Sequence, residues 1–123
     1  MQLELEGKVA LITGSSSGIG LAIAQQLAEE GCHVVLNGRD PERLHAAQAL
    51  VAGASGVVAD VRDPDACQAL VGEVLARHGR LDILVCNVGS GASVPLGQEN
   101  PAEWRRVLDT NLHATTQTVW AAQ

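Results

Sequence analysis

The chain has 123 residues, 46% of them apolar and 18% charged, with a net charge of −6. That balance belongs to a globular chain long enough for one domain, and it argues against a disordered segment or a nucleic-acid surface. No apolar run approaches the ~20 residues of a membrane span, and the start "MQLELEGKVALIT" lacks the basic-then-apolar pattern of a signal peptide.

The first element is "KVALIT" (Lys8–Thr13), a nearly unbroken apolar run of strand length. Such runs mark parallel strands covered on both faces. A glycine- and serine-rich stretch follows, Gly14 to Gly20. From Gly18 the period turns helical, with Ile19, Ala22, Ile23 and Leu27 at three- and four-residue spacings and Gly31 as the stop. "HVVLN" (His33–Asn37) is the second strand. Pro41 opens a helix with Asp40 as its N-cap and Leu44, Ala47 and Leu50-Val51 on one face.

"GVVAD" (Gly56–Asp60) is the third strand. Asp63-Pro64 starts a helix carrying Cys67, Leu70, Val71, Val74 and Leu75, closed by Gly79. "LDILVCN" (Leu81–Asn87) is the fourth strand, and Val88–Asn100 is a loop. Pro101 opens a helix over Ala102–Leu108, and a last helix begins near Asp109 and still runs at Gln123. Trp104 and Trp120 are expected to pack on these helices. Strands alternating with helices predict a single α/β domain over 1–123, a doubly wound parallel sheet of Rossmann type with order 3-2-1-4.

The glycines lie between the first strand and the first helix, where unpaired N–H groups and a positive dipole end favour an anion. Gly14 suits the tight turn, Gly18 a close approach to a guest, and Gly20 the packing of helix on strand. Ser15, Ser16 and Ser17 offer hydroxyls to phosphate or ribose. The spacing GxxxGxG predicts a nucleotide site, and the absence of the P-loop lysine argues against nucleotide hydrolysis.

"TGSSSGIG" resembles the cofactor motif TGxxxGxG of classical short-chain dehydrogenases/reductases. Asp60-Val61 match the family's adenine-contacting pair after strand three. "LDILVCNVG" is similar to its strand-four segment ending Asn-Asn-Ala-Gly, with Cys86 and Val88 in place of the first Asn and the Ala. Asn111, in "DTNL", matches the asparagine of the catalytic tetrad. The resemblance covers nearly the whole chain. It implies a hydride transfer between NADP(H) and a carbonyl or alcohol substrate. It places Gly14, Ser15, Ser17, Gly18, Ile19 and Gly20 at the pyrophosphate and nearby ribose, and Asn87 and Gly89 along the middle of the cofactor. The family's Tyr-x-x-x-Lys pair is missing: there is no tyrosine, and the single lysine is Lys8. The chain is therefore expected to be the cofactor half of a reductase, inactive by itself; a non-catalytic nucleotide-binding or regulatory module is the alternative.

Cofactor choice rests on Asn37-Gly38-Arg39-Asp40. Gly38 stands where NAD-type members carry an acid, and Arg39 where many NADP-type members carry a base, so NADP is expected over NAD. Arg39 could instead pair with Asp40 or Glu42, and Asp40 could be the ribose-binding acid. Asp60 has a second reading as the cap of the helix near Pro64. Asp82 is read as structural. Ser90 or Ser93 could touch substrate or belong to a plain loop.

His33, His45, His78 and His113 show no metal-ligand spacing, and no metal is expected. Cys32, Cys67 and Cys86 read as buried thiols of a cytoplasmic protein. If the chain ends at Gln123, "ILVC" (Ile83–Cys86) is an unprotected edge, and self-association into a homo-oligomer is expected.

Overall fold

The computed structural model describes residues 4–89 and 94–123. Strand β1 (Val9–Ile12) is followed by helix α1 (Gly18–Glu29), β2 (His33–Gly38), α2 (Pro41–Gln48), β3 (Ser55–Val58), α3 (Pro64–His78) and β4 (Ile83–Val85). Helix α4 (Pro101–Leu108), a π segment (Asp109–His113) and α5 (Ala114–Ala122) complete the chain. The sheet order is β3-β2-β1-β4, with every pair parallel, as the alternation predicts.

The apolar strands are explained by their two covered faces. Ala10, Ile12, Val34 and Leu36 point to one side, against Ala24 of α1 and Leu44 and Ala47 of α2. Val9, Leu11 and Val35 point to the other, against Cys67, Leu70 and Val74 of α3 and Ala114 of α5. Alternate side chains of a strand face opposite ways, so a strand between two helical layers has no polar face to offer.

Asp40 and Asp63 cap their helices as expected. The Asp40 carboxylate accepts from the Glu42 and Arg43 N–H groups, and that of Asp63 from the Asp65 N–H. Asp82 is structural as read: its carboxylate accepts from the Val9 N–H at 2.9 Å.

Several expectations need correction. Leu50 lies past the end of α2 and is 61% exposed, because the helix stops at Gln48. No break separates the last two helices; α4 passes into α5 through the π segment. Trp104 and Trp120 do not pack inward but are 61% and 72% exposed. Trp104 stands on α4, which has no buried residue, and Trp120 on α5, whose buried residues are Ala114 and Thr118. Cys32 and Cys67 are buried, but Cys86 is only half-buried, because it lies just past the three paired residues of β4.

Candidate functional site

The carboxyl ends of all four strands open into one cleft of about 840 Å³, lined by Gly14, Gly38, Asp60 and Asn87 among others. Helix connections leave β1 toward β2 on one side and return to β4 on the other, so the cleft lies at the switch point of the sheet. Crevices at that point are where open α/β sheets take their ligands.

One rim of the cleft is the Gly14–Gly20 loop. Gly14 and Gly18 each have φ of +60°, a conformation that side chains disfavour. The loop delivers the chain into α1 with an unusual N-terminus. Helices α2, α3 and α4 are capped by the side chains of Asp40, Asp63 and Asn100, and each has an acid in its first turn. Helix α1 has neither: its N-cap Ser17 makes no side-chain capping bond, and no acid follows. Its first N–H groups and its positive dipole end are therefore left for an anion.

Ser15 plays a different part from the expected one. Its side chain is fully buried; the hydroxyl donates to the Ile12 carbonyl at 2.7 Å and accepts from the Asn37 N–H at 2.9 Å. A hydroxyl committed on both sides cannot also serve phosphate, so Ser15 is a foundation of the loop and not a hydroxyl ligand. Ser16 lines the cleft, as does the exposed Ser17. Ile19 is 73% exposed at the start of α1, and its main-chain N–H is among the first of that helix.

The loop is tied to its neighbours by two asparagines. Asn87 donates from its side chain to the Gly14 carbonyl at 3.1 Å, and its N–H reaches the Thr13 hydroxyl at 3.1 Å. Asn37 was missed as a site residue. It is 1% exposed, accepts from the Gly14 N–H at 3.3 Å, and donates to the Val57 and Ala59 carbonyls at 3.1 and 3.2 Å. One side chain thus joins the ends of β1, β2 and β3. A polar residue closing an otherwise apolar strand was the available signal, since buried polar groups persist only when bonded.

At the end of β2, the competing readings of Arg39 and Asp40 separate. Asp40 is occupied as the cap of α2, while Arg39 is exposed, lines the cleft and forms no ion pair among the described residues. Across the cleft, Asp60 is not the cap of α3; Asp63 is. The Asp60 carboxylate is gripped by the Arg62 guanidinium, with contacts of 2.7, 2.9 and 3.2 Å. That pairing holds Asp60 below the usual carboxylate range. Val61 is buried beside it.

Asn111 lies in the π segment. Its side chain donates to the Val107 carbonyl at 3.1 Å, four residues back. That is the carbonyl a regular α-helix would offer to the Asn111 N–H, which accounts for the widened turn. The side-chain oxygen lies 3.0 Å from the place a Cβ on Gly89 would occupy, so Asn111 faces the Gly89 end of the cleft. Ser90 and Ser93 lie outside the described residues. Burial pushes the Cys67 and Cys86 thiols up, so neither is a ready acid or nucleophile. Of the expected site residues, Gly14, Ser17, Arg39, Asp60, Val61, Asn87 and Gly89 line the one cleft, whereas Gly18, Ile19 and Gly20 are not among its lining and form the first residues of α1.

A family model described as short chain dehydrogenase matches residues 8–123. A gluconate 5-dehydrogenase of Gluconobacter oxydans is 40% identical over 114 residues, covering 89% of this chain and 44% of that protein. A 3beta-hydroxysteroid dehydrogenase of Mediterraneibacter gnavus is 39% identical over 112 residues, covering 87% and 41%. Among solved structures, L-sorbose reductase from Gluconobacter frateurii, complexed with NADPH and L-sorbose, superposes with a TM-score of 0.92 at 37% identity, over 99% of this chain and 48% of that one. The chain spans about half the length of the curated relatives it matches.

Proposed function

This chain belongs to the short-chain dehydrogenase family, and we propose that it is the cofactor-holding half of an NADP(H)-dependent oxidoreductase acting on a small carbonyl or alcohol substrate. The observation that carries the reading is the uncapped, unneutralised N-terminus of α1 opening on the same cleft as Arg39, which forms no ion pair among the described residues. An anion site after β1 and a cation after the neighbouring β2, facing one strand-end crevice, suit a dinucleotide with a pyrophosphate and a further phosphate. That the sorbose reductase neighbour binds NADPH and L-sorbose supports the same cofactor and substrate class.

When bound, the nicotinamide cofactor supplies the hydride donor or acceptor. The residues of this chain hold and orient it. The main chain from Gly14 to Gly20 receives the pyrophosphate, with Ser17 beside it and Ser15 bracing the loop from below. Arg39 receives the 2′-phosphate. Asp60 and Val61 form the adenine end, and Asn87 and Gly89 line the middle. Asn111, whose side-chain oxygen faces Gly89, is the residue of this chain assigned to the catalytic centre. Its side-chain nitrogen is engaged with the Val107 carbonyl, and its side-chain oxygen lies on the Gly89 side, toward the reacting end.

A preference for NADP over NAD of at least about tenfold is expected from one charge-assisted contact. It should reverse in Gly38→Asp with Arg39→Leu, although a Cβ at position 38 would stand 3.1 Å from the Ser16 hydroxyl, so Ser16 must turn aside. Titration of both cofactors decides this; equal or tighter NAD binding in the starting protein overturns it.

The 123-residue chain by itself should bind NADPH and turn over no substrate. Positioned proton donors contribute about 10²–10⁴-fold each. There is no tyrosine in the chain, and Lys8 lies at the amino end of β1, away from the cleft. NADPH absorbance across a panel of ketones, aldehydes and quinones is the measurement; sustained substrate-dependent oxidation by this chain would show that the chemistry lies within it. The non-catalytic alternative is favoured if NADPH binds but the same assay shows no turnover when this chain is joined to the remaining half of a relative from the same family.

Exposed Trp104, Leu108, Leu112 and Trp120 on the α4–α5 surface support self-association, which sedimentation at rising concentration would reveal. The three free cysteines suit a reducing, cytoplasmic setting. No helix among the described residues is long and apolar enough to cross a membrane.

A further inference from the structure

We propose that Arg43 is a second arm of the 2′-phosphate grip, acting with Arg39, and so a determinant of cofactor choice outside the strand-end motif. The inference rests on the NADP reading above and deepens it. Four guanidiniums line the cleft in a chain whose net charge is −6. Arg62 is matched by Asp60, and Arg106 by Glu103. Among the described residues, Arg39 and Arg43 form no ion pair, and both border the cleft at the end of β2.

The local structure fixes where Arg43 stands. It lies in the first turn of α2, with its main-chain N–H on the Asp40 carboxylate. The next residue, Leu44, is 2% exposed and packs beside Gly38. Arg43 is therefore rooted on a helix that is itself rooted in the core, whereas Arg39 stands in the two-residue connection before that helix. The Asp40 carboxylate between them is bonded to the Glu42 and Arg43 N–H groups of the helix end.

Two cations beside the end of β2 gain from an anion taken up between them, and the nearest acid that feels the charge of Arg39, Asp60, is already gripped by Arg62. A phosphate monoester carries close to two charges at neutral pH and three acceptor oxygens, enough for two guanidinium forks. The pyrophosphate does not compete for this corner, because its oxygens are drawn to the uncapped end of α1. Arg43 escaped the sequence reading because nothing in "PERLHAAQ" separates a cleft arginine from a solvated one.

The test compares binding of 2′,5′-ADP and 5′-AMP, which differ only in the 2′-phosphate, to the intact protein and to Arg43→Ala, Arg43→Lys and Arg39→Ala. Arg43→Ala should weaken 2′,5′-ADP about tenfold and 5′-AMP by less than about twofold. Arg43→Lys should recover part of the loss, since it keeps the charge and loses the fork. The double variant Arg39→Ala with Arg43→Ala should depart from the product of the single effects, as expected for two groups on one phosphate. Unchanged 2′,5′-ADP affinity in Arg43→Ala, or an equal loss for both ligands, overturns the role of Arg43 while leaving the NADP reading intact. Failure of the starting protein to prefer 2′,5′-ADP over 5′-AMP overturns both.

Discussion

Gly20→Ala should abolish measurable NADPH binding and destabilise the fold by roughly 2–3 kcal/mol or more, the range of overpacking in a close-packed interior. A Cβ at position 20 would stand 2.6 Å from the Gly14 carbonyl oxygen, 3.0 Å from the Ser15 Cα and 2.5 Å from the Asn87 side-chain nitrogen. The first two are backbone atoms of the glycine loop and cannot swing away. The third is the nitrogen that donates to the Gly14 carbonyl, so a methyl group there also severs the tie between β4 and the loop. Relief requires α1 to move off β1, which shifts the N–H groups proposed to hold the pyrophosphate. Gly72→Ala is the control. Gly72 lies on the exposed side of α3 with nothing within 4 Å of its Cβ position, and there Ala should stabilise the helix by about 0.5–1 kcal/mol. Urea midpoints and NADPH fluorescence titrations of the two variants measure both effects. A Gly20→Ala protein with undiminished stability and affinity would show that the loop is not packed as described.

Asn37→Leu should cost roughly 2–4 kcal/mol and weaken nucleotide binding in parallel. Leucine keeps the branching at Cγ, though with greater bulk, and leaves the Gly14 N–H and the Val57 and Ala59 carbonyls without the side chain that joins them. Each buried polar group stranded in this way costs about 1–3 kcal/mol. Asn37→Asp separates hydrogen bonding from shape. A carboxylate at this fully buried position would face two carbonyl oxygens, so its folded-state pKa should rise above its unfolded value. A raised carboxyl pKa makes stability greatest at low pH, with loss as pH rises through the unfolded and then the folded value. The Asn37→Asp variant should therefore approach the parent below about pH 4 and fall behind it at neutrality. Denaturation midpoints across pH give the answer; a pH-independent difference would mean that Asn37 acts through packing alone.

Much of the architecture was legible in the linear sequence. Strands read as unbroken apolar runs because both sheet faces are covered, and the period-2 to period-3.6 switch at Gly18 marks the start of α1 within one residue. Asp40 and Asp63 declared helix starts because the capping bond spans only two or three residues. The parallel order 3-2-1-4 followed because few right-handed crossover topologies are open to such an alternation. Gly14, Gly18 and Gly20 marked, by their spacing and their place between strand and helix, the loop that leads into the uncapped N-terminus of α1.

What the tertiary structure decided were pairings between residues far apart in the chain. Asn37 meets Gly14 across 23 positions and Asn87 meets it across 73, and neither bond leaves a periodic trace. Ser15 and Ser17 look alike in "SSS", yet one is sealed beneath the loop and the other is exposed at the cleft, because β2 lies next to β1 and claims the first hydroxyl. The π turn at Asn111 depends on which carbonyl its side chain takes, and the exposure of Trp120 on which face of α5 packs against α3. Local pattern encodes the period and the caps, since these depend on a few neighbouring residues. Which polar groups share a buried bond, and which arginines share a corner, depends on strand register and crossover geometry that exist only once the sheet has closed.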